Sequence, residues 1–467
     1  MKTSNLLDKQ LAHDILEVAL STGGDFAEIF VENTKKSNIV LVSGKTDTLQ
    51  SGIDYGIGIR IFKGFGAVYV YTNVMERENL LKVAKEAAAA VRGTNNGAIK
   101  VLDFTEKTFA EKHPAKILPG TKSKKEIVDV LRNISDISLK YDPLVTQTRG
   151  AYMDVDQEVL IANSEGLWAT DKRVLSRVFA TAVASKGNEK QTGSRDIAGK
   201  FGQEILEILD PKYLAEESAR IAVTMVNADM CPSGRMPVVI DNGFGGVILH
   251  EALGHSLEAT GVAKGASEFC GKLNEVVADK KVTVIDDATI ENAWGSFNID
   301  DEGSMGRKNV LIENGVLKSY LVDRLNGLQM GMESTGSSRR ESYKFAPTSR
   351  MSNTYFACGT DTQDDIISSI EYGLYAKKMG GGSVQPATGE FNFAVLEGYI
   401  IEKGKIARPV RGASLIGKGS KVLADIDMVS DNLEMDAGVC GSLSGSVPTN
   451  CGQPMIRVKE ITVGGRD

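Results

Sequence analysis

The hydrophobic pattern at the start of the chain predicts one helix followed by strands. Apolar residues recur at helical spacing over residues 6–16, and we expect Asn5 to be the N-cap. Residues 27–32 then alternate between apolar and polar types, and a second apolar run covers residues 39–42. These runs predict two half-buried strands. Two further β-rich stretches flank the Lys63-Gly64 pair, which predicts a hairpin.

Helices and strands continue to alternate irregularly up to about residue 228. The predicted helices are 76–91, ended by Gly93; 123–141, opened by a capping box of Ser123 and Glu126; and 211–227, opened by Pro211. Apolar residues alternate around turn signals between residues 144 and 184, which predicts more strands. Prolines and charges in residues 104–122 indicate a connector.

Composition changes in the second half of the chain. Beyond Met230 glycines become dense, and the Asn314-Gly315 and Lys403-Gly404 pairs each separate two β-rich runs, as hairpin turns do. We therefore predict an N-terminal mixed domain over residues 1–228 and a strand-rich, mostly antiparallel domain over residues 229–467. This arrangement belongs to the α+β class rather than to alternating β/α folds.

Charge, cysteine count and the chain start narrow the class of protein. The 467 residues contain 54 Lys and Arg against 61 Asp and Glu, a formal charge of −7, which argues against direct nucleic-acid binding. Neither a signal-peptide core nor a stretch long enough to span a membrane is apparent. An odd number of cysteines without C-x-x-C spacing disfavours a disulfide framework. They are Cys231, Cys270, Cys358, Cys440 and Cys451. We expect a cytoplasmic protein with reduced thiols.

Two glycine-rich segments resemble nucleotide-binding loops only superficially. Residues 243–246 follow an apolar strand, but Ile248 occupies the place of the third glycine in a dinucleotide fingerprint. Residues 412–418 approach a phosphate-binding loop, but Gly419 stands where Ser or Thr would coordinate magnesium. Neither segment predicts a nucleotide site.

The strongest chemical signal is His250-Glu251, followed by His255 after Gly254. The segment resembles the zinc-protease signature H-E-x-x-H with one extra residue. Five residues of α-helix leave two side chains about 140° apart, so a straight helix cannot direct both imidazoles at one metal. A π-bulge or a break at Gly254 would restore convergence. Glu251 also lies in a mostly apolar run, where a carboxylate is costly without a cationic or metal partner.

A catalytic zinc site needs a third protein ligand and one open position. Spacing alone leaves Glu258, Asp300, Asp301 and the cysteines as candidates. Glu258 could instead orient His255 from outside the metal shell.

The segment that carries the two histidines resembles the motif of a known family. His250-Glu251-Ala-Leu-Gly254-His255-Ser-Leu-Glu258 resembles the H-E-x-x-x-H motif of the TldD/PmbA family of metalloproteases, some of which are called modulators of DNA gyrase. The likeness continues through 300–303, 339–343, 350–354, 380–382, 410–417, 440–441 and 452–454.

The resemblance implies a zinc peptidase in which His250, His255 and Cys440 bind the metal and Glu251 is the catalytic base. Cys440 is followed by Gly441-Ser-Leu-Ser, where the family pattern resembles C-G-K-x-G-Q. That departure leaves the ligand in place but puts loop contacts to substrate in doubt. Cys451 falls on a variable position of the family pattern and is the weaker rival ligand.

The resemblance also implies extended or unfolded peptide substrates and a TldE/PmbA-type partner chain, or a homodimer. Arg339 and Arg340 could hold a substrate carboxylate or backbone. The run from Phe391 to Val395 could be a sheet edge that a peptide extends, although an ordinary half-buried strand explains its alternation better. Two other hypotheses stay open: a regulatory binding protein with a structural metal, and a metal-dependent amidase for small molecules.

Overall fold

The first half of the chain is built on one sheet of long strands. A computed structural model describes residues 6–91, 99–385 and 387–465. The strands of this sheet are β1 Phe26–Val42, β2 Lys45–Lys63, β3 Gly66–Thr72, β4 Thr105–Lys107, β5 Val145–Asn163, β6 Leu167–Lys186 and β7 Glu189–Gly199. Their order is β3-β2-β1-β5-β6-β4, with β7 also paired to β6. The short β4 joins β6 in parallel, and the other pairs are antiparallel.

Helices cover one face of this sheet, and the second half of the chain covers the other. The helices are α1 Lys9–Leu20, α2 Arg77–Ala90, α3 Lys124–Tyr141, α4 Ile205–Ile208 and α5 Pro211–Asn227. Ile29 packs with α1 and α2, and Ile39 packs with α3. The two isoleucines are an even number of residues apart in β1 and so share a face. Phe30, on the opposite face, packs against Ile299 and Tyr343 of the second half.

The second half contains a small barrel and a second sheet. In chain order its strands are β8 Asp229–Met230, β9 Gly234–Ile240, β10 Val284–Asp287, β11 Lys308–Glu313, β12 Val316–Leu317, β13 Ser338–Arg339, β14 Thr348–Ser349, β15 Asn353–Phe356, β16 Tyr372–Gln385, β17 Glu390–Glu402, β18 Lys405–Arg411, β19 Ser414–Lys418, β20 Ile426–Val429, β21 Glu434–Ser442, β22 Gly445–Gln453 and β23 Ile456–Gly464. Pairing runs β16-β9-β23-β19-β17 and returns from β17 to β16, which closes a barrel. The second sheet has the order β12-β11-β10-β15-β22-β21.

Short helices fill the spaces between these strands. They are α6 Val247–Leu249, α7 Ala259–Val262, α8 Arg324–Met330, α9 Gln363–Ser368 and α10 Gly419–Asp425. The segment around α6 contacts β15 and β22 on one side and β16 on the other, so it lies between the second sheet and the barrel. Within the described ranges, no helix combines the length and apolar character that crossing a membrane requires.

The predicted α+β class is confirmed, as are the three hairpins. Asn314 and Lys403 take positive φ values of 48° and 51° in their turns, and Gly64 takes 57°. The two runs predicted at residues 27–32 and 39–42 form one continuous strand, β1, because β2 and β5 pair along its polar middle. The domain boundary near residue 228 stays a prediction.

Helix caps follow the sequence signals at α3 and α5. The Ser123/Glu126 capping box is present at α3, and Pro211 occupies the first turn of α5. Asp8 caps α1. The prediction that this helix begins at residue 6 after an Asn5 cap is wrong, because the Asp8 side chain accepts the N–H of Leu11 and the helix begins only at Lys9. Gly93, the predicted stop signal of the second helix, lies outside the described residues.

The predicted peptide-binding edge at Phe391–Val395 is wrong. These residues belong to β17, which pairs with β16 on one side and β19 on the other. The backbone N–H and C=O groups on both sides of β17 are therefore already hydrogen-bonded to neighbouring strands. The alternative, an ordinary strand with alternate burial, is confirmed because Phe391, Phe393 and Val395 are buried while Asn392 and Ala394 are exposed.

A buried ionic cluster joins the two halves of the chain. Arg60 of β2 lies 2.9 Å from Glu28 of β1 and 2.5 Å from Glu302 of the second half. Arg340 approaches the same Glu28 carboxylate to 3.1 Å. All four side chains are at most 3% exposed. Glu28 of β1 therefore faces the interface between the halves rather than solvent.

Replacing Arg60 with methionine tests how strongly this cluster holds the two halves together. The change leaves the buried Glu302 carboxylate without its guanidinium partner and leaves Glu28 with Arg340 alone, and removing one partner of a buried ion pair costs about 3–5 kcal/mol. We expect the urea midpoint of unfolding to fall accordingly. The control is Lys63→Met in the same strand, which removes a partly exposed pair with Asp25 worth less than about 1 kcal/mol. Equal shifts in the two variants would contradict a structural role for the cluster.

Candidate metal centre

The helical segment that carries both histidines changes its winding at His250. After α6, residues His250–Gly254 form a π-helical turn, and His255–Leu257 form a 3₁₀ turn. The N–H of His255 donates to the carbonyl of His250, a bond that spans five residues. The two rings consequently lie one above the other, with centroids 5.1 Å apart and planes at 87°. The predicted π-bulge is present.

Gly254 is required for close packing rather than for an unusual backbone angle. Its φ of −53° is open to any residue. A Cβ at this position would lie 2.0 Å from Sδ of Met351, which is fully buried. The glycine therefore lets the bulged turn approach the chain segment around Met351.

Cys440 reaches the histidines from a different element. It lies in β21, paired in register with Val447 of β22, and its Sγ is 3.2 Å from Nε2 of His255. One ligand atom from each of His250, His255 and Cys440 lies within 4.8 Å of the other two. The structure therefore brings together the three residues that the family resemblance implies as ligands.

Glu258 contacts the other nitrogen of His255. Its Oε2 lies 3.1 Å from Nδ1 of that ring, so the carboxylate fixes the orientation of the imidazole. The sequence left Glu258 open as ligand or as orienting group, and this contact favours the orienting role.

Arg350 joins the Cys440 hairpin to Glu258. Its guanidinium is fully buried; Nη2 donates to the carbonyl of Cys440 at 2.5 Å, and Nη1 donates to Ser444 and to the carbonyl of Gly445 in the hairpin turn. Its Nε lies 3.8 Å from Oε1 of Glu258. Sequence reasoning assigned Arg350 no role, because one arginine in a loop carries no spacing signal.

The two imidazoles differ sharply in their electrostatic surroundings. Burial lowers the pKa of His250 well below its usual value, and the cationic neighbours His255 and Arg350 add to the effect. Burial would also lower the pKa of His255, but Glu258 and Cys440 outweigh it and hold that pKa well above its usual value. His250 is therefore neutral at physiological pH, the form in which imidazole binds a metal.

Glu251 lies beside the cluster and stays open to solvent. Its Oε2 is 3.7 Å from Nε2 of His255, and its side chain is 25% exposed. Burial raises its pKa, His255 opposes the rise, and Glu258 adds to it. A carboxyl group with a raised pKa accepts and returns protons more readily near neutral pH.

Among the other ligand candidates, Asp300 and Asp301 are engaged elsewhere, whereas the thiol of Cys451 lies near Glu251 and Cys440. Asp300 accepts backbone N–H groups from Glu302, Ser304 and Ser338. Asp301 pairs with Arg173 at 2.6 Å. Burial raises the pKa of the Cys451 thiol well above its usual range, and the neighbouring Glu251 adds to the rise.

Arg339 and Arg340 form their contacts with groups other than the histidines. Arg340 is 1% exposed and bound to Glu28, as described above. Arg339 is also buried and donates to the carbonyl of Met351 at 2.6 Å. Their role in substrate binding stays a prediction, and the contacts of Arg340 favour a role in joining the two halves.

The side chains present suit zinc. Two imidazoles and one thiol form the mixed nitrogen and sulfur donor set that zinc prefers. His250 is 3% exposed, and its Nδ1 is buried with no hydrogen-bond partner among the described residues. Elsewhere in the described chain, His13, Asp14 and Glu17 also lie close together, but Asp14 is paired with Arg77 at 2.5 Å.

Family models match nearly the whole chain. The matches are the PmbA/TldA metallopeptidase domain 1 over residues 27–91, the central domain over 117–226 and the C-terminal domain over 233–465. A "metalloprotease TldD homolog" of Haemophilus influenzae is 36% identical over 476 residues, covering 99% of this chain and 98% of that protein. A "zinc metalloprotease TldD homolog" of Saccharolobus solfataricus is 26% identical, covering 96% and 99%.

Solved structures share the fold at lower identity. A proposed modulator of a DNA gyrase from Thermotoga maritima has a TM-score of 0.79 at 21% identity, covering 97% of this chain and 99% of that one. TldE from Thermococcus kodakarensis has a TM-score of 0.75 at 19% identity, covering 97% and 100%. At these identities the likeness establishes the fold alone.

Gly254→Ala tests the close contact between the bulged turn and Met351. The added methyl overlaps Met351, and overpacking of this kind costs about 1–3 kcal/mol in unfolding free energy. The double variant Gly254→Ala/Met351→Ala should recover part of that loss, so urea unfolding of the four proteins in the cycle reports the coupling. Gly52→Ala, where a Cβ meets nothing within 4 Å, is the control. Additive effects of the two changes would contradict the contact.

Proposed function

The chain belongs to the PmbA/TldD metallopeptidase family, and on that premise we propose that it is a zinc-dependent peptidase acting on unfolded or extended peptides. The observation that carries the proposal is the meeting of His250, His255 and Cys440 beside Glu251. The cluster offers three ligands and an adjacent carboxylate, the pattern of a catalytic zinc site, whereas structural zinc normally has four protein ligands. This favours an enzyme over a binding protein with a structural metal.

Each residue of the site has a distinct task in the proposed reaction. His250, His255 and Cys440 would hold the zinc, which supplies Lewis-acid chemistry that polarises a carbonyl and makes water more acidic. Glu251 takes a proton from the attacking water and delivers it to the leaving amine. Glu258 keeps the His255 ring in place through Nδ1, and Arg350 holds the backbone of Cys440.

We also propose that the chain works with a TldE/PmbA-type partner or a second copy of itself. The shared fold of TldE from Thermococcus kodakarensis supports this, because related folds can present similar surfaces for pairing. Peptidase activity measured with the chain alone and with a TldE-type protein added tests the requirement.

Glu251→Gln tests the base. The amide keeps the shape of the side chain but cannot accept the proton, so we expect peptide cleavage to fall at least about a hundredfold. Zinc content, measured by elemental analysis, should stay near that of the parent. Cleavage at the parental rate by a zinc-loaded Glu251→Gln protein would show that the mechanism is wrong.

Cys440→Ser tests the third ligand. A serine hydroxyl is a poor ligand for zinc at neutral pH, so we expect a large loss of bound zinc. Cys451→Ser is the matched control, because Cys451 is equally buried in β22 and we assign it no ligand role. Unchanged zinc in Cys440→Ser, or an equal loss in both variants, would overturn the ligand assignment.

A further inference from the structure

A cavity lies between the two halves of the chain, separate from the metal centre. Its volume is about 260 Å³. The sheet of the first half contributes Met153, Val155 and Leu175, and the second half contributes Trp294, Phe297 and Val439. These apolar side chains, contributed by both halves, form the apolar wall of the cavity. At roughly 30 Å³ per water molecule, the space is that of about eight waters, which suits a small organic molecule.

Lys200 lines this cavity without a partner. The residue is only 6% exposed, yet its ammonium makes no ion pair or hydrogen bond with any described residue. The pKa of Lys200 is lowered to about 7, mainly by burial and also by the neighbouring charges of Arg339 and Arg173, while Asp171 and Asp301 oppose the decrease. A buried cation without an ion-pair contact is costly, so the site favours an anion.

A second cation beside Lys200 also lacks an ion-pair partner among the described residues. Arg339 lines the cavity and donates Nη1 to the carbonyl of Met351, but it forms no ion pair within the described chain. The pKa of Arg339 is lowered to about 10, mainly by burial and also by Arg350, while Asp301 and Asp286 oppose the decrease. Two adjacent buried cations, neither of which forms an ion pair with a described residue, point to a ligand that brings negative charge.

The acidic residues of the cavity supply only part of that charge, because each is engaged with other groups. Asp301 is bound to Arg173 and to the N–H of Arg340. Asp300 accepts backbone N–H groups, and burial together with Glu302 raises its pKa. Glu341 accepts the N–H of Ser446 at 2.7 Å.

We propose that this cavity binds a small organic carboxylate with an apolar side group, the carboxylate meeting Lys200 and Arg339 and the apolar group lying against Met153, Val155 and Phe297. A carboxylate satisfies both cations, and the apolar wall suits a hydrocarbon group better than the remaining oxygens of a phosphate. Two sources share this chemistry: a free acid and the C-terminus of a peptide.

The cavity also touches the hairpin of the metal centre. Val439 lines the cavity, and Cys440 follows it in β21, so their side chains point to opposite faces of the hairpin. An occupant therefore contacts the hairpin that carries Cys440, through Val439 and through Val447, which is paired with Cys440. The binding site does not depend on hydrolysis at the metal centre.

Calorimetric titration of the zinc-loaded, full-length protein with N-acetyl-L-leucine tests the proposal. At about pH 6, where Lys200 is protonated, we expect binding to one site per chain. Lys200→Met should weaken it at least about tenfold, because the carboxylate loses its buried charge partner. N-acetyl-L-leucinamide, which lacks the carboxylate, should bind at least about tenfold more weakly than the acid.

Two further variants keep the result interpretable. Lys36→Met removes the same charge from a half-exposed side chain that lines the cavity near Asp54, and it should change affinity less than about twofold. Met153→Trp keeps every charge but fills space from a partly exposed position, and it should weaken binding as Lys200→Met does. Parental affinity in Lys200→Met and Met153→Trp would place the acid elsewhere, the zinc included, and would overturn the proposal.

A longer probe separates the two sources of the carboxylate. If N-acetyl-Gly-Gly-Leu binds as N-acetyl-L-leucine does, the cavity accepts a peptide C-terminus. If only the shorter acid binds, the ligand is a free acid. In both cases the loss of binding in Lys200→Met supports the site, and binding of neither probe to the parent protein overturns it.

Discussion

The buried guanidinium of Arg350 is the contact on which the geometry of the candidate metal centre depends. It bonds to the carbonyl of Cys440 and to the turn of the same hairpin, and it approaches Glu258, which orients His255. Away from water such charge-assisted bonds are strong and directional. One side chain therefore positions the thiol and, through Glu258, one imidazole, although these lie far apart in the sequence.

The bulged turn supplies the other half of that geometry. A regular helix would separate His250 and His255 around its axis, whereas the five-residue hydrogen bond aligns them. Gly254 makes this turn compatible with the packing of Met351. This local departure from α-helical winding thus places the imidazoles of His250 and His255 beside the thiol of Cys440.

Buried charge also governs how the two halves of the chain meet. Arg60 and Arg340 lie among Glu28 and Glu302, so their charges are matched within the chain. Lys200 lies at the same interface without such a match. The contrast indicates that the ionic cluster joins the halves, while the unmatched lysine marks a place where a ligand completes the charge balance.

Periodicity and spacing were enough to predict the α+β class, the hairpins, the caps of α3 and α5 and the need for a bulge between His250 and His255. Each of these depends on residues close together in the chain, whose conformational preferences act locally.

The third metal ligand could not be predicted from local spacing. The sequence left Glu258, two aspartates and five cysteines open as candidates, and only a family resemblance favoured Cys440. The Cys440–His255 contact spans 185 positions, and it follows from the register of β21 on β22 and from the packing of that hairpin against the bulged turn. The same holds for β17, whose alternation is compatible with an edge or an interior strand until its neighbours are in place. Burial of Glu28, Arg340 and Lys200 likewise arises only when the two halves meet, because a charged residue on a strand gives no local sign of what will cover it.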